Sequence, residues 1–256
     1  MKELTYKISV CTQGKLCLYI IVIIWFFGIR LHAVDLSEMK IRTNCGYNLA
    51  QHYGVKDESV GYKVETGFHH GMTAGIMLEL PITPNFAFRY EFNYVTKGSS
   101  EKITIKELEG EALIKPAVMK VDYGIDYIEF PMLFKLKTLK GHNFAVSVIT
   151  GAAMALKING DYNLDGVFYF PVADSFETIQ VKDKSKLKDI NQFDYSLIYG
   201  GELDFSVMKQ PLTLGYRFTI GWDYLNLPTY HAGGEPVQLR NQSYALYLSV
   251  PIWNHK

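Results

Sequence analysis

Four sets of residues in the sequence have types and spacings that bear on chemistry. The first is a scatter of Ser59, Ser99 and Ser100 with His52, His231 and Asp57. A serine activated by a histidine, itself oriented by a carboxylate, makes an acyl-transfer nucleophile. No G-x-S-x-G or equivalent turn fixes any of these serines as one. The second is Asp161-Tyr162-Asn163-Leu164-Asp165-Gly166. It sets oxygen ligands at alternate positions and a glycine sixth, as the opening of a calcium loop does. The twelfth position, where a bidentate glutamate belongs, is Val172, and Asp174 and Glu177 stand out of place. Turn chemistry in a long loop accounts for that run. The third is His69-His70. Neighbours along a strand point to opposite faces, so the two do not converge on one metal. The sequence therefore assigns no catalytic, cofactor-binding or metal-ligating residue, and the protein reads as non-enzymatic.

The fourth set is Arg42, Glu79, Arg89, Glu91, Glu129, Lys135, Glu202, Asp204, Arg217 and Asp223. These charges matter because of the elements that carry them. From Leu212 to Tyr224, one face holds Leu212, Leu214, Tyr216, Phe218, Ile220, Trp222 and Tyr224. The other holds Thr213, Gly215, Arg217, Thr219, Gly221 and Asp223. The same period-two alternation recurs over Phe86–Tyr94, Tyr195–Phe205 and Tyr244–Ile252, and it marks strands with two unlike faces. A soluble barrel would place large apolar groups inside and Lys and Glu outside. Here the second face is glycine, serine, threonine and alanine with isolated charges, which suits the crowded inside of a narrow cylinder. The large aliphatic and aromatic face suits lipid, where an arginine or lysine at the midplane would cost about 2–4 kcal/mol.

Eight strands are predicted, at 39–50, 66–81, 86–98, 121–138, 143–160, 192–207, 211–225 and 240–253. Most exceed the roughly 9–11 residues needed to cross a bilayer at a 45° tilt. Short turns at Ile82–Asn85, Leu139–His142 and Met208–Gln210 alternate with long loops at 51–65, 99–120, 161–191 and 226–239. Short periplasmic turns and long outside loops are the asymmetry of outer-membrane barrels. The even count puts both chain ends in the periplasm. Phe86, Phe144, Phe205 and Trp253 fall at the short-turn ends. Tyr94, Tyr195, Trp222, Tyr224 and Tyr244 fall toward the long loops, so two aromatic girdles are expected. The 121–138 segment breaks parity: Tyr123, Ile125 and Tyr127 share one face, then Ile128, Phe130, Met132, Phe134 and Leu136 continue on the other. A bulge near Tyr127–Ile128, or a change of face as the strand leaves the membrane, is predicted there. In eight strands the lumen is only wide enough for side chains. The ten charges are therefore read as a paired network in a filled interior, and the protein as no general porin.

Composition and targeting agree with this class. The chain has 256 residues, 26 Lys+Arg against 26 Asp+Glu, 18 Tyr and 15 Phe. Zero net charge offers no basic surface to a nucleic acid, and the apolar content excludes disorder. Residues 1–33 read as an export signal. Lys2, Lys7 and Lys15 precede an uncharged run from Leu16 to Ile29, and Ala33 stands at the cut. That run is too short to span a bilayer. A retained anchor is the alternative, since Leu31 stands where the cleavage motif prefers a small residue. Cys11 and Cys17 leave with the signal. Cys45 alone remains in the barrel domain at 34–256, which excludes an internal disulfide and a cysteine metal site. The Lys182–Asp189 charge run reads as a solvated part of a long loop.

The segments Tyr90-Glu91-Phe92-Asn93-Tyr94-Val95-Thr96-Lys97-Gly98, Tyr127-Ile128-Glu129-Phe130-Pro131-Met132-Leu133-Phe134-Lys135 and Leu214-Gly215-Tyr216-Arg217-Phe218 carry a resemblance. They resemble the outer-membrane β-barrel family that includes PorT-like proteins of Bacteroidota-type envelopes, over most of residues 39–253. The resemblance implies an eight-stranded barrel in the cell outer membrane. Its partners would be the lipid bilayer and envelope or secretion proteins. Many such barrels end on an aromatic residue in register with the lipid face; here that register ends at Ile252, and Trp253 is out of step. The function expected is binding, adhesion or envelope structure through the long loops, with an accessory role in protein secretion as the alternative. A small acyl-transfer enzyme and a soluble periplasmic barrel are the remaining readings.

Overall fold

The computed structural model describes residues 39–54, 62–108, 111–172, 175–187, 190–225 and 239–254. The segment read as an export signal, and Asp57, Ser59 and His231, lie outside them. Ten strands are present: β1 (Lys40–Gly54), β2 (Tyr62–Gly67), β3 (His69–Thr83), β4 (Phe86–Leu108), β5 (Glu111–Lys140), β6 (Phe144–Val172), β7 (Ser175–Lys186), β8 (Phe193–Val207), β9 (Gln210–Gly221) and β10 (Leu239–Asn254). Eight of them close a ring of antiparallel pairs in the order β1, β3, β4, β5, β6, β8, β9, β10 and back to β1. This is the all-β, up-and-down barrel that the alternation predicts, with each of its eight strands overlapping a predicted segment. Closure leaves no edge in the ring, which is what lets strands cross a membrane without unpaired backbone groups.

The faces fall as the alternation requires. Tyr47, Met72, Ile76, Phe92, Met132, Tyr199, Tyr216 and Leu246 are exposed on the outside, while Asn44, Asn93, Ser147, Ser196, Thr213 and Ser249 are buried within. Both expected aromatic bands lie on the exterior. At the short-turn end Phe134 stacks on Phe86, with centroids 5.8 Å apart, and takes Phe88 edge-on at 5.2 Å. Toward the other end Tyr244 lies 5.1 Å from Phe218 and 6.0 Å from Phe68. The three short connections are tight. Thr83 accepts a hydrogen bond from the Phe86 amide at 3.0 Å, the Gly141 amide donates to Phe144 at 2.8 Å, and Met208 and Lys209 both have positive φ, 51° and 69°. Two successive left-handed residues are the geometry of a type I′ hairpin turn, which matches the twist of its strands.

In three of the expected long loops the described residues are instead largely strand, and 226–238 of the fourth lie outside the described residues. β4 and β5 run on as one hairpin through 99–120, pairing from Ser99 with Tyr123 to Leu108 with Glu111. β6 continues to Val172 and folds back as β7, covering 161–186. In 51–65, β1 extends to Gly54 and β2 starts at Tyr62. β5 is 30 residues long and β6 is 29, about three times what a crossing needs. The sequence hid these extensions because their face assignment inverts. In β4 the apolar face of Phe86 to Tyr94 looks out, but above it Val95 and Ile103 look in, while Thr96, Ser100 and Lys102 look out.

The parity break in β5 has the same cause. Alternation is unbroken from Val121 to Lys135, every odd residue being buried. What changes is which face is apolar: Tyr123, Ile125 and Tyr127 point inward, Ile128 to Leu136 outward. The change of face is therefore the alternative that the structure supports. The irregularity nearby lies in β6, where Asp126 pairs with Asn159 and Tyr127 with Lys157, leaving Ile158 as the extra residue. At the last strand a similar step, with Ile41 opposite Trp253 and Arg42 opposite Pro251, makes Ile252 the extra residue. Ile252 and Trp253 are consequently both exposed, so the bulge returns Trp253 to the outer face that strict alternation denies it.

Two differently built interiors result. Within the apolar band the interior is mostly polar, with Met77, Tyr247 and a patch of Leu133, Ile149, Ala153 and Ile198 as its larger apolar groups. Above it lies an apolar core that includes Ile103, Val121, Ile125, Tyr127, Leu164 and Leu187. Outside the membrane water surrounds the wall, so apolar groups turn inward as in any soluble protein.

Candidate functional site

Inward-facing charges are stacked in tiers along the barrel axis. At the short-turn end, β4 carries Arg89, 1 % exposed, to the middle of the lumen. Its guanidinium donates to both carboxylate oxygens of Glu202 at 2.5 and 2.8 Å and to Glu79 at 2.7 Å. Lys135 from β5 stands 2.8 Å from Glu202 and from Asp204, and 3.6 Å from Glu79. Thr213 donates to Asp204. Three carboxylates and two cations thus meet on strands far apart in sequence, which only ring closure brings together.

The next tier is a bidentate pair. Arg217 of β9 donates to the two oxygens of Glu91 on β4 at 2.6 and 2.7 Å. Its guanidinium lies 4.5 Å from the Tyr247 ring centre, and the Tyr247 hydroxyl donates to Glu202 at 2.5 Å. Gly215 makes this possible: a Cβ there would come within 2.1 Å of the Tyr247 ring, so glycine opens the space through which the ring crosses the lumen. Higher still, Lys97, also 1 % exposed, sits 2.7 Å from Glu129 and 3.3 Å from Asp194. Asn241 donates to Asp194 at 2.9 Å. Between these tiers is a polar cavity of about 10 Å³, lined in part by Asn48, Lys97, Glu129 and Arg217. Higher again, His52 and Glu101, 3.3 Å apart, lie among the apolar core residues, where Glu101 pairs in register with Val121. Breaking one partner of such buried pairs costs about 3–5 kcal/mol, because the other charge is left without compensation.

Of the ten charges that the sequence places inside, nine lie on the inner face, with Asp204 only partly covered at the mouth. Asp223 does not: β9 ends at Gly221 and Asp223 is exposed. Sequence reasoning missed Lys97, Glu101 and Asp194 as members of the network. The signal for the first two was present, since Glu91, Asn93, Val95, Lys97, Ser99 and Glu101 fall on one parity. Lys97 lies past Tyr94, where the apolar alternation stops, and Glu101 lies past residue 98, where the predicted strand ends.

Among the described residues the other chemical sets are not assembled. His52 is buried against Glu101 and lies 5.7 Å from the Tyr123 ring, and none of the described serines partners it. Ser99 is buried and donates to the Gly67 carbonyl at 3.4 Å. Asp161, Asn163 and Asp165 lie on a regular strand paired on both sides, so this run is not the loop that the sequence suggested. Alternate residues of a strand stand roughly 6–7 Å apart and cannot wrap one ion. His69 meets Asp122 at 3.1 Å and His70 meets Tyr47, so the adjacent pair does diverge. In the Lys182–Asp189 run, 182–186 are an exposed strand end and Leu187 is buried in the apolar core.

Residues 36–222 match the family model described as outer membrane protein beta-barrel domain. The chain belongs to that family. Its place is therefore the outer membrane, with the apolar band of the ring embedded in lipid. None of the curated proteins compared matches the chain significantly. Among solved structures it is similar to Neisserial surface protein A, at 12 % identity over 82 % of this chain and 96 % of that one, with a TM-score of 0.38. The attachment invasion locus protein Ail of Yersinia pestis is 10 % identical over 84 % and 99 %, with a TM-score of 0.38. The outer membrane protease OmpT of Escherichia coli is 8 % identical over 86 % and 98 %, with a TM-score of 0.41.

Proposed function

We propose that this outer-membrane barrel is a non-conducting, non-enzymatic binding or adhesion protein that works through the wall it raises above the outer leaflet. The observation that carries the proposal is that extension: β4, β5, β6 and β7 continue far beyond the lipid-facing band, stiffened by their own apolar core and presenting an exposed outer face. Lys102, Lys120, Lys182, Lys184 and Glu65 stand on that face. A rigid projecting sheet is suited to contact with other molecules rather than to transport. The paired charges across the lumen support an interior closed to solutes, in keeping with the room that eight strands leave.

The test uses cells displaying the protein. Removing the hairpin tip across 161–186 is expected to abolish surface or ligand binding while the barrel still assembles, seen as heat-modifiable gel mobility. Retained binding overturns the reading. Steady conductance of the purified protein in planar bilayers would contradict the closed interior. A non-catalytic role is supported by the pairing of His52 with Glu101 among buried apolar side chains, and lipid-acyl turnover by purified protein is the contrary result. The narrower PorT-like assignment, with an accessory role in secretion, rests on the three segments quoted above; recovery of secretion components with the purified barrel would favour it. Export by cleavage after Ala33 belongs to the same proposal, and N-terminal sequencing of the mature chain tests it.

A further inference from the structure

The mouth ringed by the short turns holds a pocket of about 350 Å³ whose charge is unbalanced. Lys40, Arg42, Lys135, Lys137, Lys140 and His142 line it. Two lining carboxylates, Glu79 and Asp204, oppose them, and both are already engaged. Glu79 is held by Arg89 at 2.7 Å, and Asp204 by Lys135 at 2.8 Å. Arg42 is the decisive residue. It is 8 % exposed, and its hydrogen bonds go only to neutral groups: the Thr213 hydroxyl at 2.6 Å, the Ser249 hydroxyl at 3.0 Å and the Ser249 carbonyl at 3.1 Å. Among the described residues no carboxylate pairs with it. Lys137, partly buried, lines the same pocket, with the Pro84 carbonyl at 3.4 Å as its acceptor. Thr213 in turn donates to Asp204, so the Arg42 guanidinium reaches a carboxylate only through a hydroxyl, and a buried charge without a direct counter-charge is costly. Planar bidentate donors backed by point charges are the usual recognition chemistry for phosphate.

We propose that this mouth binds a phosphate group, with Arg42 as the fixed donor and Lys40, Lys137 and Lys140 completing its charge. Two sources share that chemistry on the periplasmic side: the headgroup of an inner-leaflet phospholipid, and free phosphate or a small phosphorylated solute. The site stands at the opposite end of the barrel from the extension and does not rest on the reading of that extension.

Two measurements separate the sources. Inorganic phosphate is titrated onto the full mature protein in a neutral detergent and followed by calorimetry. In parallel, the lipids retained by the protein from nanodiscs of mixed phosphatidylethanolamine and phosphatidylglycerol are counted by native mass spectrometry. Saturable phosphate binding marks a free-phosphate site; enrichment of phosphatidylglycerol without it marks a headgroup site. Either is expected to weaken about five-fold for each lysine removed in Lys137→Gln and Lys140→Gln, both exposed enough to spare the fold. Arg42→Gln is read beside them, with heat-modifiable mobility confirming assembly. The double variant Lys106→Gln with Lys186→Gln, at exposed positions on the far side of the membrane, should change neither readout. Absence of both signals, or signals that the mouth variants leave unchanged, overturns the proposal.

Discussion

Arg217 and Glu91 offer the sharpest test of the interior. The two side chains are 7 % and 0 % exposed and share two charge-assisted hydrogen bonds of 2.6 and 2.7 Å. Each such bond contributes about 1.5–3 kcal/mol. Loss of both in Arg217→Met should therefore cost roughly 3–5 kcal/mol, in line with other buried pairs broken from one side. Arg89, 3.7 Å from Glu91, and Asn93, which donates to it at 2.8 Å, compensate only in part. Glu91→Leu alone should cost a similar amount, since it strands Arg217 over the Tyr247 ring. The double variant removes both charges and should cost much less than the sum, leaving a coupling energy of about 3 kcal/mol. The assay is urea unfolding of the barrel in phospholipid vesicles, followed by tryptophan emission and by heat-modifiable mobility. If the two single effects add to within about 0.5 kcal/mol, the pair is not coupled and the lumen is wetter than the geometry implies.

Three further outcomes are expected. Leu248→Arg, on the lipid face of β10, should destabilise the inserted barrel by about 2–4 kcal/mol in the same vesicles. A negligible effect would place that face outside the hydrocarbon. Ile125→Ala removes a fully buried side chain from the upper core and should cost about 2–5 kcal/mol. Limited proteolysis should then cut the β4–β5 and β6–β7 hairpins while the ring stays SDS-resistant, and loss of both together would show that the two interiors are one cooperative unit. Met208→Asn with Lys209→Gly should stabilise the barrel by about 1 kcal/mol, because both positions adopt left-handed φ that side chains with a Cβ resist. An unchanged urea midpoint would mean that the turn relaxes at no cost.

The ring was legible in the alternation of residue types. Leu212 to Tyr224 and Tyr244 to Ile252 alternate so cleanly that number, direction and facing of the strands follow from a period of two. The lipid also demands that facing all along the band. Most of the polar interior was legible there as well, because a charge on the small-residue face of a narrow barrel has nowhere else to point. What the alternation left open was where that rule stops. Past Val95 on β4 and before Ile128 on β5 the wall stands in water, so the same alternation carries the opposite meaning. Charged stretches such as Lys102 to Leu108 read as loop when they are strand. Which cation meets which carboxylate follows from the closed ring alone, since Arg89 and Glu202 are 113 residues apart and become neighbours through that closure. Among the described residues Arg42 has no direct carboxylate partner, an imbalance that belongs to the assembled mouth and to no single segment.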